Sequence, residues 1–177
     1  IELANMTGLL DMLLFLSKGD NEIYKIEKAT FGMNDLIKEL VRESNLVDEK
    51  HSIFCSTYPQ FQIEGDRRLI KQMLRAIVDN SIKYSAEDTK INIEYSVFDN
   101  KAVIEISDEG IGISKEDIVH IFDRFYRVDK ARSRSIGGSG LGLSLVKWIA
   151  DIHKGSIEVE SEIGKGTKMK VRLPLKL

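Results

Sequence analysis

Apolar residues recur along this chain in two rhythms, one of three to four residues and one of two, and the changes between them predict most of its elements. Residues 1–18 place Met6, Leu9, Leu10, Leu13 and Leu16 at helical spacing and stop at Lys18-Gly19, which predicts an amphipathic helix with a glycine terminator. That helix is rich enough in leucine to need a partner surface. The hydrophilic stretch from Lys18 to Glu22 reads as a hinge, so the helix is assigned to a separate bundle. Residues 23–31 alternate loosely and predict a short strand. Asn34-Asp35 read as the cap of a helix to about Asp48, with Leu36, Ile37, Leu40, Val41 and Leu46 on one side.

Ile53 to Ile63 reads as a hairpin turning near Pro59. Asp66 caps the next helix, which turns Leu69, Ile70, Met73, Leu74, Ile77, Val78 and Ile82 inward. Residues 90–98 and 101–107 alternate strongly around Asp99-Asn100 and predict a second hairpin. Ser114 to Asp117 starts a short helix, and a longer one runs from Leu143 to His153. Strands follow at 155–161 and 166–173. This order predicts an α+β fold, a mixed or antiparallel sheet with helices on one face, as a two-layer sandwich.

Composition narrows the class only a little. The 177 residues are 42% hydrophobic and 31% charged, ordinary for a globular protein, and suit one domain plus an appendage. A net charge of −2 excludes nucleic-acid binding driven by overall charge. The single cysteine, Cys55, excludes an internal disulfide and reads as a small buried apolar residue. The chain opens on Ile1 rather than Met and shows no signal peptide, which reads as a piece of a longer protein. Its apolar opening, residues 1–16, is too short to span a membrane.

The chemistry gathers between Asp108 and Leu143. Asp108-Glu109-Gly110-Ile111-Gly112-Ile113 comes first and Gly137-Gly138-Ser139-Gly140-Leu141-Gly142-Leu143 last, and between them lie Arg124, Arg127, Lys130, Arg132 and Arg134. Glycines let a backbone approach a ligand, and the helix start at Leu143 offers amides to an anion. Asn80, Lys83 and Tyr84 stand at i, i+3 and i+4 on one helix face. An amide oxygen, an ammonium and a ring converging there suit a metal, a phosphate and a base, though each is common alone at a polar helix end. Two ordinary glycine turns around a solvated loop remain the alternative reading.

Taken together, the blocks resemble the catalytic domain of bacterial sensor histidine kinases. Asp79-Asn80-Ser81-Ile82-Lys83-Tyr84-Ser85 is similar to their N box and Asp108 to Ile113 to the first glycine box. Ile121 to Asp129 resembles the F box, and Gly138 to Leu143 the second glycine box. The opening helix resembles the second helix of the dimerisation and phosphotransfer bundle. The resemblance implies an ATP-binding sandwich of the Bergerat type at 19–177, preceded by part of a bundle helix at 1–18. It implies that Asp108 accepts from the adenine amine, which suits an acceptor-only group, and that Gly110, Ile111 and Gly112 lie along the base. It implies Asn80 as ligand to Mg²⁺, and Lys83 and Arg127 as phosphate-positioning residues with no acid or base role assigned to any side chain. Gly138, Ser139, Gly140, Leu141 and Gly142 would wrap the phosphates, with Tyr84 and Tyr126 as walls. The implied partners are the bundle helix with its acceptor histidine, a response regulator and a second copy of the full-length protein. The implied place is the cytoplasmic side of a membrane-anchored bacterial sensor.

Two departures shape the expectation. Ala76, four residues before Asn80, stands where related hydrolysing ATPases carry a water-activating Glu, and it cannot act as a base. The three histidines precede Ser52, Ile121 and Lys154, and none has the family's His-Glu/Asp-x-Arg/Lys context. His51 is read as a loop residue, His120 as part of the lid helix and His153 as a helix C-terminal residue. The accepting histidine is therefore expected upstream of Ile1. An anti-sigma-factor serine kinase and a nucleotide-sensing scaffold of the same fold are the alternatives; a dinucleotide-binding Rossmann domain fails on glycine spacing.

Overall fold

The computed structural model describes residues 26–128 and 139–177. The expected bundle helix at 1–18 and the residues Gly137 and Gly138 lie outside them. In chain order the elements are β1 (Ala29–Gly32), α1 (Met33–Val47), β2 (Ser52–Phe54), β3 (Gln62–Gly65), α2 (Arg67–Tyr84), β4 (Lys90–Phe98), β5 (Lys101–Asp108), α3 (Lys115–Ile118), α4 (Gly142–Ile152), β6 (Ser156–Glu162) and β7 (Gly166–Pro174). Five strands form one sheet in the order β2-β4-β5-β7-β6, and β1 pairs with β3 in a separate ribbon. β2 runs parallel to β4, and every other neighbouring pair is antiparallel, so the sheet is mixed as expected.

One layer of helices covers one face of this sheet. Met33, Leu36, Ile37 and Leu40 of α1, Leu69 to Val78 of α2, and Leu145 to Ala150 of α4 meet Ile91, Ile93, Ile104, Ile106, Met169 and Val171 in a single core. The opposite face stays polar because the strands alternate. There Glu105 bridges to Lys170 at 3.0 Å and lies 3.7 Å from Lys168, and Arg172 pairs with Glu158. Asp99 and Asn100, at φ 49° and 56°, make the β4–β5 turn in the left-handed region that two-residue hairpins favour. α1 and α2 are clamped outside the core by Glu39, which accepts from Arg67 and Lys71 at 2.5 Å each. Those two bonds, Lys71 first, hold the Glu39 carboxyl down at about 2.

Four expectations need correction. The stretch from Ile53 to Ile63 is no hairpin: β2 joins β4 and β3 joins β1. Tyr58 and Phe61 in the connection pack on Tyr95, with ring centroids 6.5 and 5.8 Å away, so the connection itself carries part of the core. Helix α1 starts one residue earlier than Asn34, because the Met33 amide donates to the Phe61 carbonyl at 3.0 Å and its side chain is buried. Gly32 is the cap residue, and Asn34 and Asp35 fall in the first turn. Leu46 is 74% exposed at the end of α1 and takes no part in the core. His120 follows α3 rather than lying in it.

Two local devices matter later. The side-chain amide of Asn45 in α1 donates to the Ile53 carbonyl at 2.6 Å and accepts from the Ile53 amide at 3.3 Å, covering the outer edge of β2. At the other end of the helical layer, His153 caps α4 and is buried. Its Nδ1 faces the Ile149 carbonyl at 2.8 Å, and its Nε2 accepts from the Asp66 amide at 3.0 Å. Asp66 in turn caps α2, accepting from the Leu69 amide. The C-terminus of one helix is thus joined to the N-terminus of the other through a neutral imidazole.

Burial pushes the His153 pKa below the ordinary 6.5, while the Ile149 carbonyl and Asp66 oppose the shift. The unfolded chain then takes up the extra proton, so stability is complete above about 6.5 and falls as the pH drops toward the folded value. A single linked proton changes stability by at most about 1.4 kcal/mol per pH unit. His153→Gln keeps an acceptor for Asp66 and should flatten the dependence of urea midpoint on pH below about 6.5. An unchanged slope would show that His153 is not the linked group.

Candidate active site

The site lies where the C-terminus of α2, the end of β5 and the start of α4 meet. Asp108 ends β5 and is held from three sides. Its Oδ2 accepts from Ser81 Oγ of α2 at 2.8 Å, and its Oδ1 accepts from the Gly110 amide at 3.0 Å and the Thr167 amide at 3.1 Å. A carboxylate with three donors has a fixed orientation and still has acceptor capacity to spare. The pattern of the sequence does not single out Ser81 or Thr167. Both sit inside conspicuous blocks, next to Asn80 and after Gly166, and Ser81 is the polar residue on the inward face of α2.

The loop after Asp108 is threaded tightly. The Ile111 amide donates to the Tyr84 carbonyl at 3.1 Å, and the Ile111 carbonyl accepts from the Gly164 amide at 2.8 Å. Gly112 has φ +70°, and a Cβ there would come within 2.0 Å of the Glu162 carbonyl oxygen. Only glycine fits that crossing. The Ile113 amide donates to Ser161 Oγ at 2.8 Å, which anchors the far end of the loop to β6. First glycine box, N-box helix and the β6–β7 turn are thereby one assembly.

The second glycine box differs between its members. Gly140 has φ +71°, and a Cβ would lie 2.8 Å from the Phe125 carbonyl carbon. The Phe125 amide donates to the Gly140 carbonyl at 2.9 Å, so the F-box and second glycine box touch backbone to backbone. A Cβ on Gly142 would meet no atom within 4 Å. Nothing in the described protein therefore requires glycine at 142, and the space above it is open to a ligand. Gly142 is the first residue of α4, whose cap residue Leu141 is buried and offers no side-chain bond to the helix amides. Ser139 Oγ accepts from the Leu141 amide at 3.3 Å.

The charges show what the site wants. Lys83, in the last turn of α2, has its pKa lowered first by burial and second by the positive charge of Arg127. Its ammonium also lies 5.2 Å from the centroid of the Tyr84 ring, which is 37% exposed. Arg127 Nη2 is buried, with no hydrogen-bond partner among the described residues. Two cations close enough to bear on one another suit a polyanion. Asn80 is half-buried on the same turn as Lys83. The Tyr126 hydroxyl is engaged by Asp117 Oδ1 at 2.7 Å. Gly138 lies outside the described residues. None of the histidines approaches this cluster through a described bond: His51 pairs with Asp48 at 2.6 Å, and His120 with Asp123 at 3.0 Å.

Comparison with known proteins agrees with the geometry. The profile of the family described as Histidine kinase-, DNA gyrase B-, and HSP90-like ATPase matches residues 65–177. The signal transduction histidine-protein kinase ArlS of Staphylococcus aureus (strain USA300) is 38% identical over 171 residues, 96% of this chain and 38% of ArlS. The chain thus spans well under half of that relative. Among solved structures, the Acinetobacter baumannii histidine kinase AdeS is similar with a TM-score of 0.78 at 25% identity, covering 98% of this chain and 80% of that one. The catalytic domain of histidine kinase ThkA gives a TM-score of 0.67 at 27% identity, covering 85% of this chain and 97% of that one.

The two glycines of the second box should separate on substitution. Gly140→Ala forces a side chain into the left-handed region, which costs about 1–2 kcal/mol before the contact with Phe125 is counted. Its melting temperature should fall by several degrees. Gly142→Ala should melt no lower than the parent yet bind ATP more weakly, because the added methyl occupies the open space. Equal melting temperatures for the two variants, or full ATP affinity in Gly142→Ala, would refute the distinction.

Proposed function

Because the chain belongs to the family of histidine kinase-, DNA gyrase B- and HSP90-like ATPases, as an ATP-binding catalytic domain of the histidine kinase type, we propose that it is the phosphoryl-donor half of a two-component sensor. ATP is held here, and its γ-phosphate passes to a histidine nitrogen on the phosphotransfer bundle of the same dimeric protein. From there it passes to an aspartate of a response regulator. The observation that carries this reading is the opposed pair Lys83 and Arg127, with the buried Arg127 Nη2 facing no protein acceptor among the described residues. The serine-kinase alternative is not favoured, since the matched relatives are histidine kinases.

Each residue then has a limited task. Asp108, fixed by Ser81, Gly110 and Thr167, accepts from the adenine amine. Gly110, Ile111 and Gly112 line the base, with Tyr84 at the side. Lys83, Arg127 and the amides from Gly138 to Gly142 draw the phosphate chain to the start of α4. The amide oxygen of Asn80 fits a hard cation that keeps phosphate and water as its other ligands. When bound, Mg²⁺ neutralises charge on the phosphate oxygens. The remaining residues position the γ-phosphate and shield it, and no side chain among the described residues is assigned as a base for water. Ala76, where a hydrolase would carry that base, packs against the core. Transfer to a protein nucleophile is favoured over hydrolysis.

Among the described residues, no helix is long and apolar enough to cross a membrane. In this reading the domain hangs on the cytoplasmic side of a bacterial sensor anchored elsewhere in its chain.

Asp108→Asn gives a direct test. The amide keeps an acceptor for Gly110 and Thr167 but turns a donor toward the adenine amine. Losing a bond to a charged acceptor costs about 1.5–3 kcal/mol, or roughly 10- to 150-fold in ATP affinity. Titration calorimetry should show that loss for ATP and none for inosine triphosphate, which offers an oxygen at that position. Equal losses for both would remove Asp108 from base recognition. A second measurement concerns the half-reaction. With Mg²⁺ and ATP the 177-residue chain should bind nucleotide without labelling itself, and adding the phosphotransfer bundle should yield acid-labile phosphate on the bundle. Stoichiometric label on His51, His120 or His153 would overturn the reading. Asn80→Ala should weaken binding in Mg²⁺ far more than in a chelator, and equal loss would make Asn80 structural.

A further inference from the structure

Phe125 adopts φ +65°, in the left-handed region, although it is not glycine and its side chain is 61% exposed. Such a residue costs free energy, and burial of its ring does not offset it. The strain has to be held by the bonds on either side. On one side is the Gly140 carbonyl, which accepts from the Phe125 amide. On the other is Tyr126, whose hydroxyl donates to Asp117 Oδ1 at 2.7 Å and whose ring lies 5.3 Å from that of His120.

Asp117 is itself fixed. Its Oδ2 accepts from Ser114 Oγ at 2.6 Å, and its amide donates back to Ser114 Oγ at 3.1 Å. The bonds from Ser114 first and Tyr126 second hold its carboxyl below the usual range, so it is an ionised acceptor at neutral pH. The residue that follows Tyr126 is Arg127, whose Nη2 is buried without a partner among the described residues and whose charge bears on Lys83. Around them Asp123, Arg124, Phe125 and Val128 are exposed, and Ile121 supplies the buried apolar anchor. This stretch therefore owes its shape to polar bonds rather than to core packing.

We propose that the Asp117–Tyr126 hydrogen bond is a latch that positions Arg127 for the phosphates, making Asp117 and Tyr126 positioning residues for phosphoryl transfer. The proposal rests on the nucleotide reading of the site. An arginine has much rotamer freedom to lose on engaging a ligand. A backbone pinned at the preceding residue removes part of that loss before ATP arrives. The latch lies at the surface, between half-buried groups, so it adds little to global stability. It acts on the phosphate half of the pocket and leaves the adenine half, built on Asp108, untouched.

The test uses the 177-residue chain and calorimetry with ATP and with adenosine. Tyr126→Phe should bind ATP about tenfold more weakly, the loss of one hydrogen bond's worth of positioning, with adenosine affinity and melting temperature unchanged. Asp117→Ala should match it, and Asp117→Asn, which keeps an acceptor oxygen, should recover most of the affinity. In an Arg127→Ala background, Tyr126→Phe should have no further effect, because the latch works only through Arg127. Additive losses in that double variant would overturn the latch. So would equal losses for ATP and adenosine, or unaltered ATP binding by Tyr126→Phe. A parent chain that binds no ATP at all would overturn the nucleotide reading, and the latch with it.

Discussion

The geometry of the site depends on one carboxylate. Asp108 accepts from a helix hydroxyl, a loop amide and a strand amide, and these three donors belong to α2, the first glycine box and β7. Strand register alone would place β5 beside β7, and core packing alone would place α2 across them. Neither sets the angle at which a single acceptor faces the pocket. Charge-assisted bonds are shorter and stronger than neutral ones, and three of them on one group leave it little freedom. The close approach of Gly166 has the same origin: a Cβ there would sit 1.9 Å from the Asp108 carbonyl oxygen, so β7 can reach the carboxylate only as glycine. The Asp108 end of the pocket is therefore held in place by the protein's own bonds.

The end proposed to take the phosphates works on the opposite principle. Lys83 and Arg127 repel one another, and burial adds to the cost of charging Lys83. In the proposed reading, entry of a polyanion would regain free energy that the fold forgoes there. A fixed carboxylate at one end and two mutually repelling cations at the other would then divide the labour: the base would be selected by shape and one acceptor, while the phosphates would supply electrostatic attraction. The contact between Phe125 and Gly140 lets the F box and the second glycine box meet without a side chain between them.

Much of this was legible from spacing, and the exceptions have physical causes. Helix α2 and the β4–β5 hairpin declare themselves because each buries one continuous face, so period and burial coincide. The stretch from Ile53 to Ile63 misleads because its apolar residues serve two different sheets, and alternation cannot tell a partner from a neighbour. Asn34-Asp35 look like a cap, yet a hydrogen bond from the Met33 amide to the distant Phe61 carbonyl decides where α1 begins. Within the site, the glycine boxes, Asn80, Lys83 and Arg127 stand out by type and order. Ser81, Asp117 and Thr167 do not, since a hydroxyl or carboxylate reveals its role only when its acceptor or donor has been brought alongside. The fold and the chemistry were written locally, and the supports were written in contacts remote in sequence.

Asn45 has an implication for how this domain can meet other chains. A sheet edge ordinarily recruits strands through free carbonyls and amides. On the β2 side, the Asn45 side chain satisfies both groups of Ile53 and so imitates a neighbouring strand that cannot be extended. On the β6 side, Glu158, Glu160 and Glu162 line an exposed edge strand. Glu158 and Glu162 pair with Arg172 and Lys165, so a second copy approaching there edge to edge would bring its acids chiefly against Glu160. Strand addition is discouraged at both ends, by mimicry at one and by charge at the other, which guards the sheet against amyloid-like stacking and leaves helices and loops to make its encounters.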